Sequence, residues 1–295
     1  MSDNNDTQEL TSDQVKRLYK RLISRLARIY CEDFQKTFLN DSKVPDTQRG
    51  SISITKQEFI YPSTLKPKQD EGTSKFYDKK CDSGLQKSIV LLIESPHKSE
   101  YVQKNYKNRE LMPIYPAQSE TGDNIDKFLT KALHIILKQN RVNMSPNCEN
   151  TQDLIRDIKP ECPLVICNAI QYQTSLDFAR SSIKRGIKLD ETIRDNMFEL
   201  LWEIKAIQDD LLKRLRSYNP VWIIDAVTGL ELEKDGKIVE NNGLNQLVYG
   251  FLINNFKETP ISRCYHPAYW NNWKRLGGAD KNTNKIVGYD NPSKT

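Results

Sequence analysis

The chain has three histidines in 295 residues, and its six cysteines (Cys31, Cys81, Cys148, Cys162, Cys167 and Cys264) include no CxxC pair and no Cys/His ligand spacing. This argues against structural zinc and against a secreted disulfide framework, so the cysteines read as reduced thiols and no metal or other cofactor is expected. A cluster assembled from cysteines far apart in sequence is the one metal arrangement that spacing leaves open. No apolar run reaches membrane-spanning length, and the opening MSDNNDTQEL lacks the basic and apolar regions of a secretory signal. A cytoplasmic protein with no membrane partner is expected. Neither a GxSxG elbow nor a GxxxxGK loop is present, which removes two common hydrolase readings.

What the chain does contain is enough apolar residue, 37%, to build a real core. The formal charge of +5, from 44 basic and 39 acidic residues, says little until it is located. It concentrates in QVKRLYKRLISRLARIY, where Val15, Leu18, Leu22, Leu26 and Ile29 recur at helical spacing and Lys16, Arg17, Lys20, Arg21, Arg25 and Arg28 fall mostly outside that stripe. The pattern fits a basic helix from about residue 12 to 39, whose charged face is either a solvated exterior or a phosphate-contacting surface. Residues 40 to 87, rich in Lys, Asp, Ser, Pro and Gly with short alternating pieces such as SISIT, read as an irregular continuation. The expected division is an N-terminal basic helix and irregular extension over 1–87, then an α/β domain over 88–295.

Four short apolar runs carry the second part: SIVLLI (88–93), PLVICNA (163–169), PVWIIDA (220–226) and PISRCYH (260–266). Helical patterns separate them: NIDKFLTKALHIILKQ, LDETIRDNMFELLWEIKAIQDDLLKRLRSY and LNQLVYGFLINNF. In the second of these, Ile193, Met197, Leu200, Ile204, Ile207, Leu211 and Leu215 keep three-and-four spacing, as expected of a face packed on a sheet. The alternation predicts a three-layer α/β/α fold with a short, mostly parallel four-stranded central sheet, preceded by the helical extension.

In such a sheet, ligands bind beyond the carboxyl ends of the strands, so the residues that close each apolar run are the candidates for chemistry. The first run ends in Glu94, Ser95, Pro96 and His97; the second in Asn168; the third in Asp225 and Thr228; the fourth in His266, followed by Pro267, Ala268, Tyr269 and Trp270. Two of the three histidines thus fall at strand ends. His134, inside a helical pattern, reads as packed or solvated.

The order of these motifs resembles the uracil-DNA glycosylase superfamily. Its members carry G-Q-D-P-Y or G-E-A-P-G after the first core strand, a base-reading Asn after the second, and a His-Pro motif after the last. The counterparts here are I-E-S-P-H (Ile93 to His97), the run L-V-I-C-N-A with Asn168, and Y-H-P-A-Y-W (Tyr265 to Trp270). MPIYPAQSETGDNIDKFL is similar to the family segment that leads into a helix. The resemblance covers about residues 88 to 275 and implies a monofunctional DNA glycosylase, acting on DNA as a monomer.

The chemistry suits these residue types. Cleaving an N-glycosidic bond builds positive charge on the sugar and negative charge on the departing base, which calls for a carboxylate on one side and a donor on the other. The resemblance gives Glu94 the water-activating role and His266 the donation to the base, with Asn168, His97, Ser95 and Tyr115 around the flipped base. Tyr269, Trp270 and Trp273 are candidates for a side chain that wedges into the duplex, with core packing as the alternative, and Lys274 and Arg275 for phosphate contacts.

The motif departs from the family in specific ways. Ile93 replaces a Gly, and Ser95 stands where well-known members place a water-activating Asp, so the water falls to Glu94 as in the G-E-A-P-G type. The cysteine spacing of that type's iron-sulfur cluster is missing. His97 replaces the Tyr that walls off a pyrimidine 5-substituent, and Ala268 a phosphate-binding Ser. The expected substrate is therefore uracil or a modified cytosine, such as a phage-type hydroxymethylcytosine derivative, in DNA repair or antiviral defence. A non-catalytic DNA-binding module of the same fold is the alternative, and an unrelated α/β hydrolase or nucleotide-sugar enzyme is a third class.

Overall fold

In the computed structural model, the described residues are 11–30, 42–55, 58–60, 87–105, 110–117, 120–138, 142–143, 158, 161–174, 194–229, 231–232, 238–239 and 243–270. Among them lie helices α1 (Ser12–Tyr30), α2 (Glu120–Lys138), α3 (194–202), α4 (Lys205–Ser217) and α5 (Leu244–Asn255). The strands are β1 (Thr47–Thr55), β2 (Glu58–Ile60), β3 (Ser88–Ile93), β4 (Tyr101–Asn105), β5 (Glu110–Pro113), β6 (Val142–Asn143), β7 (Cys162–Asn168), β8 (Pro220–Asp225), β9 (Glu231–Leu232), β10 (Ile238–Val239) and β11 (Ile261–Arg263).

The chain is α/β, as its alternation implies, but its sheet is not four parallel strands. Seven strands join in the order β2-β1-β7-β3-β8-β11-β6. The four expected strands form its centre and run parallel, β7 and β8 flanking β3, and β11 beside β8. The outer strands make the sheet mixed: β1 pairs antiparallel with β7 and β2, and β6 antiparallel with β11. The short hairpins β4–β5 and β9–β10 stand apart from it.

The additional edge comes from the segment expected to be irregular. Within β1 the stretch SISIT alternates as a strand should, with Ile52 buried. The alternation is broken near Gly50, whose φ of 113° only glycine adopts readily and which sits where the register shifts between Gln48 and Ser51. That interruption conceals the strand from a period-two reading.

Alternate residues of the central strands feed two separate cores. Val90, Leu92, Val165, Ile223 and Ile261 join Val15 and Tyr19 of α1, Met197 and Phe198 of α3, Leu211 and Leu215 of α4, and Val248 and Leu252 of α5. Ile89, Leu91, Ile93, Leu164, Ile166, Trp222 and Ile224 join Ile125, Leu129, Leu133 and Ile136 of α2. Each fully buried Leu or Ile contributes about 1.5–3 kcal/mol, so this two-sided burial is the main force holding the sheet.

The long helical pattern before β8 is two helices rather than one. The chain turns at Glu203 and Ile204, and the buried face shifts to include Phe198, Leu201 and Trp202 while Leu200 is exposed. Phe198 stacks on Trp202, which meets Phe251 of α5 edge-on. In α1 the buried stripe runs through Val15 and Tyr19, with Leu22 and Ile23 packed against it. Arg17, Lys20, Arg21 and Arg25 remain exposed. No helix among the described residues is long and apolar enough to cross a membrane.

Candidate active site

The parallel pairing brings the strand ends level. Ile93 is in register with Asn168, Leu92 with Asp225, and Asp225 with Arg263, so the residues that follow lie along one edge of the sheet. Main-chain bonds continue past the strands: Ala169 N–H to Ile93, Ile170 N–H to Glu94, Ala226 N–H to Leu92 and Cys264 N–H to Asp225. Position there follows from β geometry alone.

Glu94 is 3% exposed. Its Oε2 accepts a hydrogen bond from the Thr228 hydroxyl, and its Oε1 lies 3.2 Å from Arg194 Nε. Arg194 opens α3 and also binds Asp195 Oδ1 at 2.7 Å through Nη2. Burial works against the Arg194 charge, but Glu94 and Asp195 outweigh it and raise its pKa. Sequence reasoning passed over Arg194, because it sits in the middle of a charged stretch, IRDNM, with no motif around it. In the sequence Thr228 reads only as the close of a strand.

His266 is 6% exposed. Its Nδ1 accepts the Ala268 N–H at 3.2 Å, so the neutral ring carries its proton on Nε2 and presents that N–H as a donor. Burial, then His97 and Arg194, push its pKa down to about 3, which keeps the ring uncharged at neutral pH. The His-Pro turn is tied to α2 by Asn124, whose Nδ2 donates to the carbonyls of Pro267 at 3.0 Å and Ala268 at 3.3 Å.

Asn168 is wholly buried. Its Nδ2 donates to Glu100 Oε2 at 3.3 Å, and Glu100 Oε1 accepts the Ala117 N–H at 2.9 Å. Its Oδ1 has no hydrogen-bond partner among the described residues, and neither has Asp225 Oδ2. Burial pushes the Asp225 carboxyl up to about 7, against the pull of the Val227 N–H and of Arg263. Ser95 is buried and its hydroxyl bonds that of Thr174 at 2.6 Å.

The N-terminal segment braces this edge. Arg49 of β1 grips Asp126 of α2 through Nε at 3.0 Å and Nη2 at 2.8 Å, and donates from Nη1 to the Ala117 carbonyl at 3.0 Å. That carbonyl lies so close to Gly122 that a Cβ there would come within 2.1 Å of it, which is why a glycine stands at the start of α2. Tyr19 of α1 donates to the Gln173 carbonyl and stacks on Tyr172, fixing the loop after β7.

Of the expected site residues, Glu94 and His266 lie within reach of Arg194 and His97 within electrostatic reach of His266, while Asn168 and Ser95 line the neighbouring strand ends. His97 and Tyr115 are half-buried. Tyr269 is 37% exposed and within electrostatic reach of Arg194. Trp270 departs from the wedge role: it is fully buried in the α2-side core, and its indole N–H donates to the Tyr265 carbonyl at 2.7 Å. A ring packed there reaches a duplex only by unfolding its surroundings, so the core alternative describes it. Trp273, Lys274 and Arg275 lie outside the described residues, as do Cys31, Cys81 and Cys148. Cys162, Cys167 and Cys264 are buried. Among the described residues no three His, Cys, Asp or Glu side chains are grouped to hold a metal.

Fold and site together describe an α/β protein with buried ionisable side chains, Glu94, Asp225 and His266, at the carboxyl ends of parallel strands. Set against protein-family models, curated proteins and solved structures, the chain matches none.

Proposed function

We propose that the protein is a DNA glycosylase of the uracil-DNA glycosylase type, which flips a pyrimidine, uracil or a modified cytosine, out of the duplex and hydrolyses its N-glycosidic bond. The observation that carries this reading is the pairing, across one site, of a buried carboxylate, Glu94, with a neutral histidine whose Nε2–H is a donor. Glu94 orients and deprotonates water and stabilises the sugar cation, while the new C1′–O bond replaces the broken C1′–N bond. The electron pair stays on the base, where His266 Nε2–H meets the developing anion. A neutral donor suits that task, since it stabilises the anion without needing acidic solution. Arg194 adds a fixed positive charge beside both groups.

DNA as partner fits the exposed basic face of α1, whose buried side packs on the loop after β7. Tyr269, an exposed aromatic among the described residues, is the candidate to fill the gap left by a flipped base. The biological setting that suits such a protein is DNA repair or antiviral defence.

The test is a strand-cleavage assay on DNA containing uracil, hydroxymethylcytosine or its glucosylated form, followed by alkali. Alkali-dependent cleavage, lost in Glu94→Gln, is the expected result; intact strands with every base would sink the reading. One observation favours the second reading, a non-catalytic DNA-binding module: the Arg194 ion pair occupies the carboxylate that would activate water. Tight DNA binding with no abasic sites would select it.

A further inference from the structure

We propose that Arg194 grips a backbone phosphate next to the flipped nucleotide, and that its transfer from Glu94 to that phosphate clears the carboxylate for water. The inference rests on the glycosylase reading above and adds to it a release operated by the substrate.

Two charges conflict in the site as it stands. In the glycosylase reading Glu94 faces the reacting sugar carbon, yet its Oε1 lies 3.2 Å from Arg194 Nε. A cation held there opposes the sugar cation that the carboxylate stabilises. Glu94 keeps a second anchor, the Thr228 hydroxyl on Oε2, so it stays in place when the guanidinium leaves. Arg194 also has somewhere to go. Its side chain is 19% exposed, so it spans from the buried carboxylate to solvent. Its second partner, the Asp195 side chain, is 43% exposed and offers a single oxygen, Oδ1, to Nε at 2.9 Å and Nη2 at 2.7 Å. Exposed pairs of this kind contribute little, because water competes for both ends. The planar fork of Nε and Nη2 is suited to two oxygens of a phosphate, and Asp195 fills it with one.

Nucleotide geometry puts a phosphate within reach. The phosphates on either side of a nucleotide join its sugar at C3′ and through C5′, a few bonds from C1′. A cation in contact with the group that faces C1′ is therefore close to one of them. Arg194 acts electrostatically on Glu94, His266 and Tyr269, so it stands beside both proposed reacting groups and the exposed ring. The buried carboxylates Glu94 and Glu100 at this edge repel a polyanion, and a cation that reaches solvent offsets them. A free nucleoside brings no phosphate and leaves the ion pair in place, so the release confines cleavage to nucleic acid.

The experiment replaces single phosphates of a duplex with neutral methylphosphonates, one at a time, on both sides of a central uracil, hydroxymethylcytosine or glucosylated hydroxymethylcytosine. Excision is read as alkali-sensitive breaks, and binding on the same duplexes built with a cleavage-resistant 2′-fluoro sugar. For the wild type, neutralising one of the two phosphates that flank the target is expected to cost about tenfold or more in both readouts. In Arg194→Met the same replacement is expected to cost nothing further, while replacements elsewhere cost both proteins alike. A purely structural Arg194 would give additive losses instead. Asp195→Asn removes the competing carboxylate and is expected to tighten binding of the all-phosphate duplex, a gain lost on the methylphosphonate duplex. At saturating protein, the flanking methylphosphonate should also slow the wild-type single turnover, because Arg194 then stays on Glu94; a loss confined to affinity overturns the release. A wild type indifferent to both flanking phosphates overturns the proposal whether or not the variants fold, and so do additive losses at every position. Abasic sites without this coupling would leave the glycosylase reading standing and sink the phosphate contact. Coupling in binding without abasic sites would do the reverse. Neither binding nor excision of any duplex would sink both.

Discussion

Two buried polar clusters meet at Asn168, and they are built on opposite plans. On one side Asp46 accepts from Arg214 Nη1 at 2.6 Å, the Tyr218 hydroxyl at 2.7 Å, the Cys167 thiol at 3.3 Å, Gln171 Nε2 at 3.3 Å and the Asn168 N–H at 3.4 Å. Arg214 spends its remaining donors on Asp210 and the carbonyls of Asn168 and Ala169. Burial works against the Arg214 charge, yet Asp46, Cys167 and Asp210 outweigh it and raise its pKa well above the usual value. Burial, then Asp46, likewise pushes the Tyr218 hydroxyl up. On the other side, the strand-end set leaves Asn168 Oδ1 and Asp225 Oδ2 without partners among the described residues. A saturated cluster is finished as a piece of structure, whereas one with spare acceptors carries an unmet cost that a ligand or a proton can relieve. The first holds the sheet's edge and the N-terminal segment together; the second is where chemistry is expected.

The comparison is sharpened most by substitutions that should strike one cluster and spare the other. Glu94→Gln is expected to slow abasic-site formation about a thousandfold or more while leaving the urea midpoint near that of the wild type. A large loss of stability instead would move Glu94 to the structural side. Arg214→Met should do the reverse. Removing one partner of a buried ion pair costs about 3–5 kcal/mol, read as a lowered urea midpoint. His266→Ala is expected to reduce excision about a hundredfold with a smaller effect on folding.

The pH behaviour separates the two unpaired or shifted groups further. The folded-state pKa of His266, about 3, lies below its ordinary 6.5, so its contribution to stability is present above pH 6.5 and is lost as pH falls towards 3. Its ring nitrogens should keep the NMR shifts of a neutral Nε2–H imidazole at pH 5; a midpoint near 6.5 would contradict its burial between His97, Arg194 and the Ala268 N–H. Asp225 runs the other way. Its folded-state pKa, about 7, lies above 3.8, so stability is fullest below pH 3.8 and declines as pH rises through 7. Asp225→Asn should flatten the melting temperature across that window. The smallest effect is expected at the surface: Arg17→Glu, Lys20→Glu and Arg21→Glu together should weaken DNA binding and reduce its salt dependence without altering the excision rate of bound substrate. Unchanged binding would make the α1 face a solvated exterior.

Much of the centre was legible in the sequence because its signals are local. Four apolar runs of strand length, separated by helical periodicity, mark the parallel centre of the sheet, and the residues closing each run fall along one edge of it by the geometry of β-pairing. What hid the rest was interruption or distance. Strand β1 was concealed by the irregularity at Gly50, and the turn at Glu203 and Ile204 by the helical periodicity that runs through it. Trp270 follows the His-Pro motif as a wedge would, but only packing shows that its ring points into the core. Glu100 and Arg194 sit in unremarkable charged stretches, and no spacing rule links either to a strand end.

The sequence by itself determined the alternation of strands and helices, and the placing of Glu94, Asn168 and His266 at strand ends, because a strand's period and its end are properties of a few consecutive residues. Only the tertiary structure decided that Arg194 pairs with Glu94, that Glu100 accepts from the Asn168 amide, and that Asp46 and Arg49 from the N-terminal segment brace the strand ends. Those contacts join residues far apart in the chain, and such pairings are fixed by how the sheet and helices pack, where burial makes a partner for each charge a condition of folding.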